Sequence, residues 1–116
     1  MAFESALRAM RDAGASGTAV VSRDGTVLAS DLPATVSRET FSIMCATIYG
    51  AGMTVSNELR RGTPRRIVLE SPEGRVVIAE AGRRALLVVV LPSEADVEAA
   101  SRRLQPFLDQ VAREAG

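Results

Sequence analysis

The sequence predicts an α/β (α+β) three-layer sandwich formed by one domain, residues 1–116: a five-stranded, mostly antiparallel sheet with one long helix on one face and the N- and C-terminal helices on the other. Three observations carry this expectation. Short β-branched or apolar runs occur first as a hairpin and then as a three-stranded meander, with a helical stretch between them long enough to be a layer of its own. The last run, Ala85 to Leu91, is apolar at every position, so it belongs in mid-sheet with both faces covered. The long helical stretch carries no charged residue from Phe41 to Val55. At 116 residues the chain is long enough for one compact core and too short for two ordinary domains.

The elements follow in order. Phe3, Ala6, Leu7 and Met10 recur at helical spacing among Glu4, Arg8, Arg11 and Asp12, and Gly14 follows where a left-handed C-cap is wanted, which gives a short amphipathic helix over Phe3 to Ala13. Thr18–Ser22 and Thr26–Ser30 flank Arg23-Asp24-Gly25, and Asp-Gly signals a hairpin because both turn residues tolerate positive φ. Ser37 reads as an N-cap, with Glu39 in the first turn and Val36 and Phe41 at the two positions of a hydrophobic staple. That helix runs to Arg60 or Arg61 and ends at Gly62, with Pro64 beyond.

Three strands then follow, Arg66–Glu70, Arg75–Glu80 and Ala85–Leu91, joined by Ser71-Pro72-Glu73-Gly74, a type I turn, and by Ala81-Gly82-Arg83. Ser93 is the expected N-cap of the final helix, Asp96 takes the capping-box position, and the buried stripe is Val97, Ala100, Leu104, Phe107, Leu108 and Val111. Pro106 removes one backbone hydrogen bond, so a kink or a restart is expected near Arg102 to Gln105.

Composition narrows the chemistry. All 14 basic residues are arginine; there is no lysine, histidine or tryptophan, and Cys45 is the single cysteine. A lysine Schiff base, a P-loop cation, a histidine-based relay and a histidine metal site are therefore excluded, as are a disulfide or cysteine metal framework, and no cofactor is expected. The 14 acidic residues balance the arginines to zero net charge, which offers no overall field for a nucleic-acid backbone, and four aromatic residues make a poor stacking platform. No apolar stretch reaches 18 residues, and Met1-Ala2-Phe3-Glu4-Ser5 lacks the basic region of a signal peptide, so direct membrane insertion is not expected and the location is expected to be cytoplasmic.

On a wheel of about 100° per residue, Phe41, Met44, Cys45, Ile48, Gly52, Val55 and Leu59 of the long helix gather on a side that covers the sheet. The opposite side presents Ile43, Ala46, Gly50 and Met53, with Thr47, Thr54 and Asn57 around them and Tyr49 at the margin. A helix apolar nearly all round is buried on more than one side. Either a second protein molecule covers it or a loop or terminal helix of the same chain does; Gly50, which permits close backbone approach, and adaptable Met53 favour the former. The Arg66–Glu70 strand, if it lies at the sheet edge, has no proline or lysine to deter pairing with another copy, and the two contacts together would make a two-fold dimer.

The hairpin Val20 to Ser30 with its Asp24-Gly25 turn, the small-residue helix Met44 to Gly52, the Arg66–Glu70 strand, the Pro72-Glu73-Gly74 turn and the Ala85–Val90 strand, in this order and spacing, resemble the roadblock / dynein light chain family over roughly Phe3 to Val111, most closely its prokaryotic stand-alone, MglB-like members. The resemblance implies a profilin-like roadblock fold, a homodimer in which third strands join two sheets and second helices lie side by side, and a regulator or scaffold for a small Ras-like GTPase. Carried over by position, the pairing surface is Ile43, Ala46, Thr47, Gly50 and Met53 on the helix and Arg66, Val68 and Glu70 on the strand. The family has no catalytic motif to carry over.

The function expected is thus that of a non-catalytic homodimeric regulator or scaffold that binds such a GTPase. Any acceleration of GTP hydrolysis must come from ordering the GTPase's own residues or from an arginine finger, for which the Arg60, Arg61, Arg65 and Arg66 cluster is the candidate, against the plainer alternative of a solvated charge cluster. Asp24 and Gly25 could touch a partner or form a plain turn. A second reading is a small-ligand sensory domain of profilin-like or PAS-like type, with Cys45 or Tyr49 lining a pocket, although few polar groups gather at any one place and Cys45 reads most simply as a small buried hydrophobe. An enzyme would need carboxylates such as Glu70 and Glu80 on adjacent strands, which strand-end exposure makes a poor prospect.

Overall fold

The computed structural model describes residues 3–116; Met1 and Ala2 of the amino-terminal pentapeptide lie outside the described residues. The elements are α1 (Glu4–Asp12), β1 (Gly17–Ser22), β2 (Val27–Asp31), α2 (Arg38–Glu58), β3 (Arg66–Ser71), β4 (Gly74–Ala81), β5 (Ala85–Leu91) and α3 (Val97–Ala115). The sheet order is β2-β1-β5-β4-β3, and every neighbouring pair is antiparallel. The all-apolar β5 takes the central place.

Period-two alternation along the strands divides the core in two. Val20, Val77, Leu87 and Val89 face α1 and α3, where they meet Leu7, Met10, Leu104 and Val111. Ala19, Val21, Ile78, Leu86 and Val88 face α2, where they meet Cys45 and Tyr49. Alternate residues of β5 thus serve both layers, which is why the strand reads as one continuous apolar run.

Local departures from the sequence pattern have identifiable causes. In the hairpin only Gly25 adopts positive φ, at 93°. Its N–H donates to the Ser22 carbonyl at 3.0 Å, Ser22 N–H donates to Thr26 O at 2.9 Å, and the Asp24 carboxylate accepts from the Ser22 hydroxyl and from Thr26 N–H and hydroxyl. The three-residue connection Arg23-Asp24-Gly25 stands as the sequence sets it out, with one left-handed residue in place of the two that a two-residue Asp-Gly turn would need.

The long helix ends at Glu58, short of Arg60 or Arg61. Arg60 itself supplies the left-handed residue at φ 55°, its N–H donating to Asn57 O at 2.9 Å and that of Arg61 to Ser56 O at 3.0 Å, so the exit motif closes before Gly62. The final helix is capped by Asp96, whose carboxylate accepts from Ala99 N–H at 3.2 Å; Ser93 belongs to the preceding turn, closed by Ala95 N–H donating to Pro92 O. The helix then continues through Pro106 without a restart, the proline sitting on its exposed side. At the other end of the chain, Phe3 N–H donates to Glu114 Oε2 at 2.7 Å and fastens α1 to the last turn of α3.

Candidate functional site: the outer face of the long helix and the open sheet edge

Ser37 caps α2, its hydroxyl accepting from Thr40 N–H at 3.5 Å. The stripe that meets the sheet is Ser42, Cys45, Tyr49, Gly52 and Ser56, spaced alternately by three and four residues. Gly52 stands against β3: a Cβ on it would lie 2.4 Å from Ile67 Cδ1, so a larger residue there would oblige the Ile67 side chain to turn away. Cys45 is buried, and that burial pushes its thiol pKa up to about 11.

This stripe is rotated from the one the sequence suggested. Tyr49, expected at the margin, is 1% exposed. Met44, Val55 and Leu59, expected against the sheet, are exposed, Val55 at 61% and Leu59 at 66%. Ala46 and Met53, expected on the outer side, are half-buried against the α2-side core. Phe41, Cys45 and Ile48 do pack on the α2-side core as expected, and Gly52 lies in the seam, so the rotation is partial: Tyr49 turns inwards while Met44, Val55 and Leu59 turn out.

The outer face consequently consists of Ile43, Met44, Thr47, Gly50, Ala51, Thr54 and Val55. It carries no ionisable side chain, and its hydroxyls are turned inwards: Thr47 donates to Ile43 O at 2.8 Å and Thr54 to Gly50 O at 3.2 Å. Such back-bonding to the preceding turn leaves the threonine methyl groups outermost. A Cβ added at Gly50 would meet nothing within 4 Å.

Beside this face lies β3, an edge strand paired only with β4. Ile67 and exposed Leu69 look towards the α2 side. Arg66, Val68 and Glu70 look the other way: Arg66 is paired with Glu98 at 3.0 Å, Val68 packs on the α1/α3 core, and Glu70 is paired with Arg75 at 3.0 Å. Of the eight residues singled out from the sequence, Ile43, Thr47 and Gly50 therefore share the open helix face, Ala46 and Met53 sit on its flank, and Arg66, Val68 and Glu70 lie along the open edge with their side chains on the opposite side of the sheet.

The arginine cluster divides in the same way. Arg60, Arg61 and Arg65 are exposed around the exit from α2, whereas Arg66 is directed to α3. At the hairpin, Gly25 is buried against the helix; a Cβ there would stand 2.9 Å from Ile43 Cα. Glu70 and Glu80 do not form a carboxylate pair. Glu70 stands opposite Arg75 in the register, whereas Glu80 lies at the far end of β4 and accepts from Arg23 at 2.9 Å and from the Tyr49 hydroxyl at 3.2 Å. Arg23 also stacks on the Tyr49 ring, 5.2 Å from its centroid. This Tyr49–Glu80–Arg23 group was not foreseen; the uncharged run around Tyr49, with a phenol hydroxyl in need of a partner, was the only signal for it. Among the described residues, no group of three metal-ligating side chains forms and no helix is long and apolar enough to cross a membrane.

Comparison with known proteins places these features in context. A model of the Roadblock/LC7 domain matches residues 4–91. A protein of Methanocaldococcus jannaschii is 33% identical over 76 residues, 66% of this chain and 67% of that one. Among solved structures, one described as MglB with tetrameric arrangement superposes with a TM-score of 0.87 at 22% identity, covering 96% of this chain and 85% of the other. The gliding protein MglB from Thermus thermophilus superposes at 0.83 with 21% identity, covering 96% and 86%.

Proposed function

The chain belongs to the Roadblock/LC7 family, and from that premise we propose that it is a non-catalytic homodimeric regulator or scaffold of a small Ras-like GTPase, acting in the cytoplasm. The observation that carries the proposal is the uncharged outer face of α2 lying beside the open edge of β3. Two copies related by a two-fold axis would pair β3 with β3 and bring the Ile43, Thr47 and Gly50 rows together, with Ala46 and Met53 at the flank and Arg66, Val68 and Glu70 along the strand junction. With its arginines balanced by acids and no lysine or histidine, the chain offers contact surface rather than groups for bond making, so an effect on GTP hydrolysis would come through the GTPase's own residues or through Arg60, Arg61 or Arg65 at the end of the paired helices.

Light scattering tests the first half of the proposal: a dimer mass is expected, and a monomer at micromolar concentration overturns it. Gly50→Glu sharpens that test, because the open space at Gly50 lets the fold accept the side chain while a carboxylate is placed in the helix contact; the expected result is a folded monomer. For the second half, the protein is added to a Ras-like GTPase encoded beside its gene and GTP turnover and complex formation are measured. A change in either is expected, and the absence of both removes the GTPase from the proposal.

A further inference from the structure

On the sheet face away from α2, between the end of α1 and the first half of α3, a half-open cavity of about 250 Å³ reaches down to the last residues of β5. Met10, Leu91, Leu104 and Phe107 give it apolar walls, and it stays open because Ala95 in the preceding turn and Ala99 and Ala100 on α3 line it where larger side chains would fill it. The slot opens to solvent, so its apolar walls are left facing water, an arrangement that an apolar ligand would relieve. An apolar cavity of about 150 Å³ is already enough to hold benzene, and on that scale this one has room for roughly eight to ten non-hydrogen atoms.

Two ionisable residues belong to the lining, Asp96 and Arg103. The Asp96 carboxylate is engaged as the α3 cap by Ala99 N–H at 3.2 Å. Arg103, two turns further along the helix and exposed, has no acceptor for its guanidinium among the described residues. The result is an apolar slot with one uncommitted cation at its side.

We propose that this slot is a binding site for a small amphiphilic carboxylate of about eight to ten non-hydrogen atoms in all, the tail lying against Leu104 and Phe107 and the carboxylate pairing with Arg103. The site is separate from the α2 face and needs no partner protein.

Octanoate is the probe, with octanol as the uncharged control, and binding is followed by calorimetry and by the Met10 methyl signal in the NMR spectrum of the wild-type protein. Octanoate is expected to saturate a single site, to move the Met10 methyl and to raise Tm. Arg103→Gln should weaken octanoate about tenfold, as loss of a charge-assisted hydrogen bond does, and leave octanol unchanged. Ala100→Leu should fill the slot, raise Tm without ligand and abolish octanoate binding; Ala99→Leu provides a second filling variant should the first not fold. No shift of the Met10 methyl up to millimolar octanoate overturns the proposal. So does octanol binding as tightly as octanoate, which would make the slot a seat for an uncharged group such as a partner's aliphatic side chain, and so does undiminished binding in a folded filling variant.

Discussion

The hydroxyl of Tyr49 on α2 lies 3.2 Å from Glu80 Oε2 on β4 and 2.8 Å from the carbonyl of Pro64 in the α2–β3 loop, so one phenol proton serves two acceptors on two separate segments. Arg23 closes the group by donating to the same Glu80 oxygen and to Gly82 O, both at 2.9 Å, with its guanidinium over the ring. Helix, sheet, hairpin and loop thus meet at one side chain. Tyr49→Phe keeps the ring and removes the hydroxyl; it is expected to cost about 1 kcal/mol in urea denaturation, because two part-buried hydrogen bonds are lost. A cost indistinguishable from zero would show that the Pro64 carbonyl and Glu80 are satisfied without it.

Two buried acids on α2 give the fold an alkaline limit. Burial, followed by the charge of Glu80, raises the Tyr49 pKa, and burial pushes the Cys45 thiol to about 11 from 9.0. Both groups hold their protons more tightly folded than unfolded. Their contribution is complete below the unfolded pKa values and is lost as pH rises through the folded ones. Stability should therefore fall between about pH 9 and 11, by roughly 3 kcal/mol at most from Cys45 at the conversion of about 1.4 kcal/mol per pKa unit. Cys45→Ala should flatten that part of the profile, and an unchanged slope would assign the loss to other groups.

Arg60 occupies a left-handed conformation at φ 55° that glycine adopts without strain. Arg60→Gly is expected to stabilise the fold by about 0.5–1 kcal/mol, the left-handed penalty less the extra backbone entropy of glycine. Denaturation midpoints of the two proteins decide it, and a loss of stability would mean that the arginine side chain makes a contact worth more than the strain.

Gly25 presents the opposite case, with φ 93° and a Cβ position 2.9 Å from Ile43 Cα. The obstruction is backbone, which cannot rotate away. Gly25→Ala should cost about 2–3 kcal/mol through strain and overpacking together, measured by thermal or urea unfolding. A cost below about 1 kcal/mol would mean that the hairpin can lift from α2 freely.

The layers of the fold were legible because their signals are local or periodic. The β5 run could only be a central strand, and the Ser37 cap and the Asp24-Gly25 turn stand where the chain requires them. The rotation of α2 was less legible. A wheel ranks residues by hydrophobicity, whereas the centre of the seam is Ser42, Cys45, Tyr49, Gly52 and Ser56, with Phe41, Ala46, Ile48 and Met53 packed beside it. Hence Ala46 and Met53 moved to the flank of the outer face, and Met44, Ala51 and Val55 joined it. The exchange of Ser93 for Asp96 as the α3 cap was a choice between two good cap residues, which the turn at Pro92 decided. The Tyr49–Glu80–Arg23 group joins residues from three elements, and no spacing along the chain encodes it.

Thr47 and Thr54 spend their hydroxyls on the carbonyls of the preceding turn, so the outer face of α2 meets water with methyl groups, a bare glycine and aliphatic side chains, and without a charge. A contact built on such a surface is driven by release of water. It should carry a negative heat-capacity change, weaken as the temperature falls towards freezing, and change little between low and moderate salt, because there is almost nothing in it for counter-ions to screen.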